Sequence, residues 1–314
     1  MTAASASHRL LNFVQSALLL GLMAAIAWIA VTAIVGPETG LLMALAMVGG
    51  LLFAPALPRR LLLSAYQAQR LTGRDAPSLV AALAELARRA GLQRAPALYR
   101  VPSRLPNAFA LGSPEDSAIC VTDGLLDLLD GRELAAVLAH EIGHIANRDL
   151  WIMSLADMMS RLVSLASWLG QLLLLLNLPL VLAGMVHVPW HVVILLVFAP
   201  TLMALVQLGL SRTREYDADR AAAELTGDPE GLVRALVKLE RRVGRFWEEI
   251  LLPGRRIPEP SLLRTHPPTE SRIRRLQDLV TGRTSPIPAL VGYPTARIPL
   301  GGTPPRFHRL GLYW

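Results

Sequence analysis

The chain has 314 residues, of which 53% are hydrophobic and only 18% charged. Globular chains carry about 25% charged residues, so this composition excludes intrinsic disorder and argues against an ordinary soluble enzyme. The 31 basic residues outnumber 24 acidic ones, and with the apolar excess this points to an anionic membrane as partner and to no nucleic acid; a single cysteine, Cys120, excludes an internal disulfide framework.

From the N-terminus, the 28 residues between Arg9 and Glu38 contain no Asp, Glu, Lys or Arg. As a helix they rise about 42 Å, more than the roughly 30 Å of a bilayer core. They also exceed the apolar region of a cleaved signal peptide, which runs to about 7–15 residues. A second uncharged stretch, 39–58, ends at Arg59-Arg60, and Gly36-Pro37-Glu38-Thr39 reads as the turn between two spans.

Residues 59–161 open with helical spacing at Leu79, Leu83, Leu86 and Ala90, which Gly91 terminates. Strand-like runs follow at 97–101, 107–111 and 118–122. Cys120, inside the third run, reads as a small buried hydrophobe. Asp123 and Asp130 are expected to cap helices over 124–129 and 133–147.

From 162 to 211 there are 50 residues without a formal charge. One helix of that length would rise about 75 Å, so the segment must fold back. His187-Val188-Pro189-Trp190 is the expected break, giving spans over 162–186 and 191–210 with His187 and His191 at the interface. Neither short turn carries a basic residue, whereas Arg59, Arg60, Arg161, Arg212 and Arg214 flank span ends. Basic flanks stay in the cytoplasm, so both termini and the 59–161 region are expected there. Helical signals continue from 211 to about 240 and return near 270–281, and the tail from 285 is proline-rich.

His140-Glu141-Ile142-Gly143-His144 lies in a predicted helix. Residues four apart share a helix face, so both imidazoles can bind one metal while Glu141 addresses a water. Two neutral nitrogens, a carboxylate and an open position suit zinc. Gly143 is a poor helix former that leaves room near the metal. Glu215 and Asp219 sit four apart in Ser211-Arg212-Thr213-Arg214-Glu215-Tyr216-Asp217-Ala218-Asp219. Either can bind the metal while the other accepts from a ligand histidine; a solvated acidic face laced with Arg212, Arg214 and Arg220 is the alternative. Asn147 and Asp149 read as helix-terminating residues, with a role behind a ligand as their alternative.

HEIGHIANRD at 140–149, SRTREYDAD at 211–219, NAFALG at 107–112 and THPPTESRI at 265–273 together resemble the HtpX-type membrane zinc metalloproteases, a family related to the CAAX prenyl endopeptidases. The resemblance implies one Zn2+ per chain held by His140, His144 and Glu215. It implies Glu141 as the catalytic base, Asp219 as partner to a ligand, and His266 and Arg272 as oxyanion donors. Asn107, Ala108, Phe109, Ala110 and Leu111 become an exposed sheet edge on which a peptide substrate adds as a strand.

The expected fold is mainly α and integral to the membrane, with four transmembrane helices and a cytoplasmic α+β zincin-like metallopeptidase domain carrying a small sheet. The expected division is a transmembrane hairpin over 1–58, peptidase region over 59–161, second hairpin over 162–210, peptidase region over 211–284 and tail over 285–314. The expected activity is zinc endopeptidase cleavage of misfolded or damaged membrane proteins and unfolded polypeptides. A CAAX-type processing enzyme and a non-catalytic zinc-binding scaffold are the alternatives. One lysine, Lys238, beside 30 arginines points to a GC-rich prokaryote, hence to a plasma (inner) membrane.

Overall fold

A computed structural model describes residues 3–35, 59–185, 188–250 and 269–278. The chain divides into two compact units, Met1–Pro55 with Trp151–Thr213, and Ala56–Leu150 with Arg214–Trp314. The expected span over 39–58, His187, His266 and the tail from 285 lie outside the described residues.

The first unit is helical. It draws on α1 (Ala3–Val35), α6 (Asp149–Leu182) and α7 (Trp190–Thr226). Among the described residues, three helices are long and apolar enough to cross a membrane: Val14–Thr32, Asp149–Leu182 and Trp190–Thr226. Small and flexible side chains (Ala27, Ala30, Ala156, Ala199, Met23 and Met203) are buried between them. Leu18, Trp168, Leu176, Phe198 and Leu205 instead point outward. An apolar exterior around satisfied helical backbone is what lipid requires. The fold-back between 182 and 190 falls where Pro189 and Trp190 predict it, but both helices are longer than their uncharged cores. α6 starts at Asp149 and not 162, and α7 runs past 210 to Thr226. Arg, Glu and Ala are good helix formers, so the loss of apolar character after 210 does not end the helix.

The second unit holds a four-stranded mixed sheet with helices packed on it. After α2 (Arg59–Ala65), β1 (Gln69–Leu71) pairs antiparallel with β2 (Ala97–Val101), which pairs parallel with β4 (Asp116–Thr122). At the edge opposite β1, β3 (Ala108–Ser113) pairs antiparallel with β4. β4 is the apolar run without alternation; it is buried on both faces because it is an interior strand. β3 alternates, with Ala108 and Ala110 buried and Phe109 and Leu111 half-buried on the other face. It is shifted from the expected 107–111 by the hairpin at its end, where Gly112 adopts φ +93 and any Cβ would lie 2.1 Å from Asp116 O.

Helix α3 (Pro77–Arg89) ends as expected at Gly91, whose φ of +74 lets the N–H groups of Gly91 and Leu92 close on Arg88 and Ala87. The cap of α4 (Asp123–Leu128) is Thr122, not Asp123, since the Thr122 hydroxyl accepts from Leu125 N–H. Asp123 is used instead against Arg100. Helix α5 (Gly131–Ala146) has its expected cap at Asp130, in a reciprocal box with Glu133. Leu134, Leu138 and Ile142 of α5 join Leu79, Leu83 and Leu86 of α3 and Ile119 of β4 in one core. Helices α8 (Pro229–Ile250) and α9 (Thr269–Asp278) follow, and Leu232, Ala235 and Leu276 enter the same core.

Candidate metal centre

Helix α5 is buried along nearly its whole length, so its position is set on every side. Its first turn is held by the Asp130–Glu133 box, and the buried Glu133 also receives Lys238 Nζ at 2.6 Å. Two turns further on, His140 and His144 stack edge to face with ring centroids 4.6 Å apart. On the helix carrying Glu215 the nearest neighbours are alanines. A Cβ at Gly143 would lie 3.1 Å from Ala221 Cβ and 3.3 Å from Ala218 Cα. The expectation that Gly143 leaves room for a metal is therefore corrected: the room admits α7.

That close approach delivers Glu215. Its carboxylate oxygens stand 3.5 Å from His140 Nε2 and 3.6 Å from His144 Nε2, and the two Nε2 atoms are 3.1 Å apart. One ligand atom from each of the three lies within 4.8 Å of the others. The opposite ring nitrogens face carboxylates: His140 Nδ1 is 3.0 Å from Asp219 Oδ1, and His144 Nδ1 is 2.9 Å from Asp149 Oδ2. In the neutral tautomers that carry Nδ1–H toward these carboxylates, both Nε2 lone pairs face each other and Glu215. Such an array of acceptors calls for a positive charge among them. Four buried carboxylates (Glu141, Asp149, Glu215, Asp219) meet two guanidinium groups, Arg214 and Arg272, so the surplus is negative. The donor set fits a divalent, nitrogen-seeking ion such as zinc.

The titration behaviour follows the same balance. Burial pulls His140 down, but Asp219 and Glu215 outweigh it and lift its pKa to about 10. His144 is likewise opposed by burial and raised by Asp149. Glu141 is raised by burial against the pull of both histidines, with a smaller lowering from the backbone of Ala110 in β3.

Of the residues singled out in the sequence, His140, Glu141, His144, Glu215, Asp219 and Arg272 come together. Arg272 is buried and forked onto Asp219, with Nε 2.7 Å from Oδ2, and its Nη1 lies 3.3 Å from Glu215. Its helix is seated by Tyr216, which faces Ser271 through its hydroxyl and Arg275 across its ring. Ala110 reaches the site through its backbone. Asn107, just before β3, is fixed through its main chain by Thr122. Asn147 caps α5, as expected. Arg214 had no separate signal; within a charged run it reads as a solvated arginine, yet it is buried and its Nη1 lies 3.3 Å from Asp149 Oδ1.

A buried helix presenting His-Glu-x-x-His, completed by a glutamate from a second helix, defines a metallopeptidase. Residues 74–280 match the peptidase family M48, and the chain belongs to that family. It is 34% identical over 300 residues to a "Protease HtpX homolog" of Persephonella marina, covering 86% of this chain and 98% of that one. It is 36% identical over 295 residues to the protein of the same name from Acaryochloris marina, covering 86% and 95%. A crystal structure of S. mikatae Ste24p superposes with a TM-score of 0.43 at 19% identity, covering 86% of this chain and 66% of that chain.

Proposed function

We propose that the chain is a membrane-bound zinc endopeptidase that cleaves misfolded or damaged membrane proteins and unfolded polypeptides at the cytoplasmic face of a prokaryotic plasma (inner) membrane. One observation carries this reading: two Nε2 atoms and a carboxylate converge while both Nδ1 atoms are turned to other carboxylates. In this reading His140, His144 and Glu215 hold one zinc per chain, and Asp219 orients His140.

When bound, zinc supplies Lewis acidity that polarises a peptide carbonyl and brings the pKa of water to about 7. Glu141 accepts the proton of the attacking water on its carboxylate and returns it to the departing amine. Its burial, which raises its pKa, suits a group that must both take and give. Arg272, beside Glu215, and His266 donate to the developing oxyanion.

The substrate lies along 107–111 as an added strand. Thr122 N–H bonds to Asn107 C=O across the β3–β4 pair. The ladder alternates from there, so Ala108 and Ala110 turn their main-chain groups away from β4, toward the free edge.

The chain crosses the bilayer four times, through hairpins over 1–58 and 162–210, with both termini and the peptidase regions over 59–161 and 211–284 cytoplasmic. Glu215 follows Ser211 by four residues on one helix, about 6 Å of rise. That short distance favours substrates presented at the membrane. The test is cleavage of casein and of a solubilised membrane protein by the full-length chain, with and without chelator. Glu141→Gln should keep zinc and lose cleavage; undiminished cleavage in that variant contradicts the mechanism.

A further inference from the structure

His144 is the ligand that most needs support. It sits in the last turn of α5 and its side chain is 12% exposed, against 5% for His140 and 7% for Glu215. Directly after this helix Arg148 takes φ +58, a left-handed conformation that a non-glycine residue adopts at a cost. The reversal brings Asp149, the first residue of α6, back onto His144 Nδ1. Asp149 is 2% exposed; a carboxyl so buried needs a donor on its second oxygen as well. Arg214, 8% exposed, supplies it from 65 positions away through its Nη1.

Arg214 immediately precedes Glu215. The ion pair therefore closes a loop: His144 to Asp149, Asp149 to Arg214, Arg214 to its neighbour Glu215, and Glu215 Oε1 back to His144 Nε2 at 3.6 Å. This loop sets the separation between a ligand on α5 and the ligand on α7. The other histidine has the equivalent arrangement, His140 to Asp219 to Arg272, with Arg272 also on Glu215.

We propose that Asp149 and Arg214 are positioning residues for the metal centre: Arg214 holds Asp149 in place, and Asp149 holds the Nδ1–H tautomer of His144 so that Nε2 faces the ion. This rests on the zinc reading above. Neither residue touches the substrate or the reacting atoms. Partners of this kind behind a ligand histidine are worth about 10–100-fold in metal affinity.

The test uses the full-length protein in detergent micelles. Zinc affinity is read by competition with a chromogenic chelator, and ligand geometry by the visible spectrum of the cobalt-substituted protein. Arg214→Gln and Asp149→Asn should each weaken zinc binding about 10–100-fold and shift the cobalt spectrum, and the double variant should be no weaker than Asp149→Asn alone. Arg132→Gln, which breaks a pair with Asp228, should leave both readouts unchanged. Arg214→Gln with wild-type affinity and spectrum overturns the proposal. Should that variant not fold, Asp149→Asn carries the test, and its wild-type behaviour overturns the proposal equally. Failure of the wild-type chain to bind zinc is a different result, which overturns the zinc reading itself.

Discussion

The backbone of Ala110, on an edge strand of the sheet, bears on the Glu141 carboxyl at the centre of the buried helix and lowers its pKa against the larger effect of burial. Because Ala110 does not use its N–H in the ladder with β4, proline is tolerable there. Ala110→Pro should fold and retain zinc. It removes the backbone N–H that bears on the Glu141 carboxyl, so peptide cleavage should fall about 10–100-fold. Steady-state cleavage beside a zinc assay checks this; unaltered turnover would show that the contact does not position Glu141.

Gly143 is the contact that lets α7 approach α5. Gly143→Val must push against Ala218 and Ala221, and overpacking of this kind costs about 1–3 kcal/mol. Thermal or denaturant unfolding should show that loss, together with weaker zinc binding because Glu215 sits one turn from Ala218. A variant of wild-type stability would contradict the packing described.

The raised pKa of His140 makes a signed pH prediction for the metal-free protein. A folded-state pKa of about 10 against an ordinary 6.5 means that the proton stabilises the fold fully below 6.5, and that this support is lost as pH rises through about 10. Zinc competes with that proton. Its affinity should therefore increase with pH across the same window, and binding should release protons, measurable by calorimetry in buffers of different ionisation heat. Zinc uptake at pH 7.5 without proton release would contradict the assignment.

Cys120 is fully buried, and burial, aided by the Glu141 charge, pushes its thiol up to about 12. The thiolate is the reactive form, so maleimide should not label the native protein at neutral pH and should label it fully after unfolding. Rapid native labelling would place the β4 core differently.

What was legible in the sequence was local. The His140–His144 spacing, the Asp130 cap and the Gly91 terminus each lie within a turn or so of helix, where side-chain periodicity decides the outcome. β1, only three residues with two exposed, carries too little alternation to be read. The cap expected at Asp123 falls to Thr122 because Asp123 is taken by Arg100, a partner on another strand that local spacing does not show. Arg214 looked like a solvated arginine because its partner lies 65 positions away, and Arg272, whose partner lies 53 positions away, stood out only through the family resemblance. The helix of Glu215 extends well past its apolar part because residues that repel lipid do not repel helical backbone.

The central claim is a single divalent ion held by His140, His144 and Glu215, and metal analysis of the purified full-length chain tests it most directly. The account predicts one zinc per chain in the wild type, retained in Glu141→Gln and lost in Glu215→Ala and His140→Ala. Absence of zinc from the wild type, or its undiminished retention after either ligand is replaced, would contradict it.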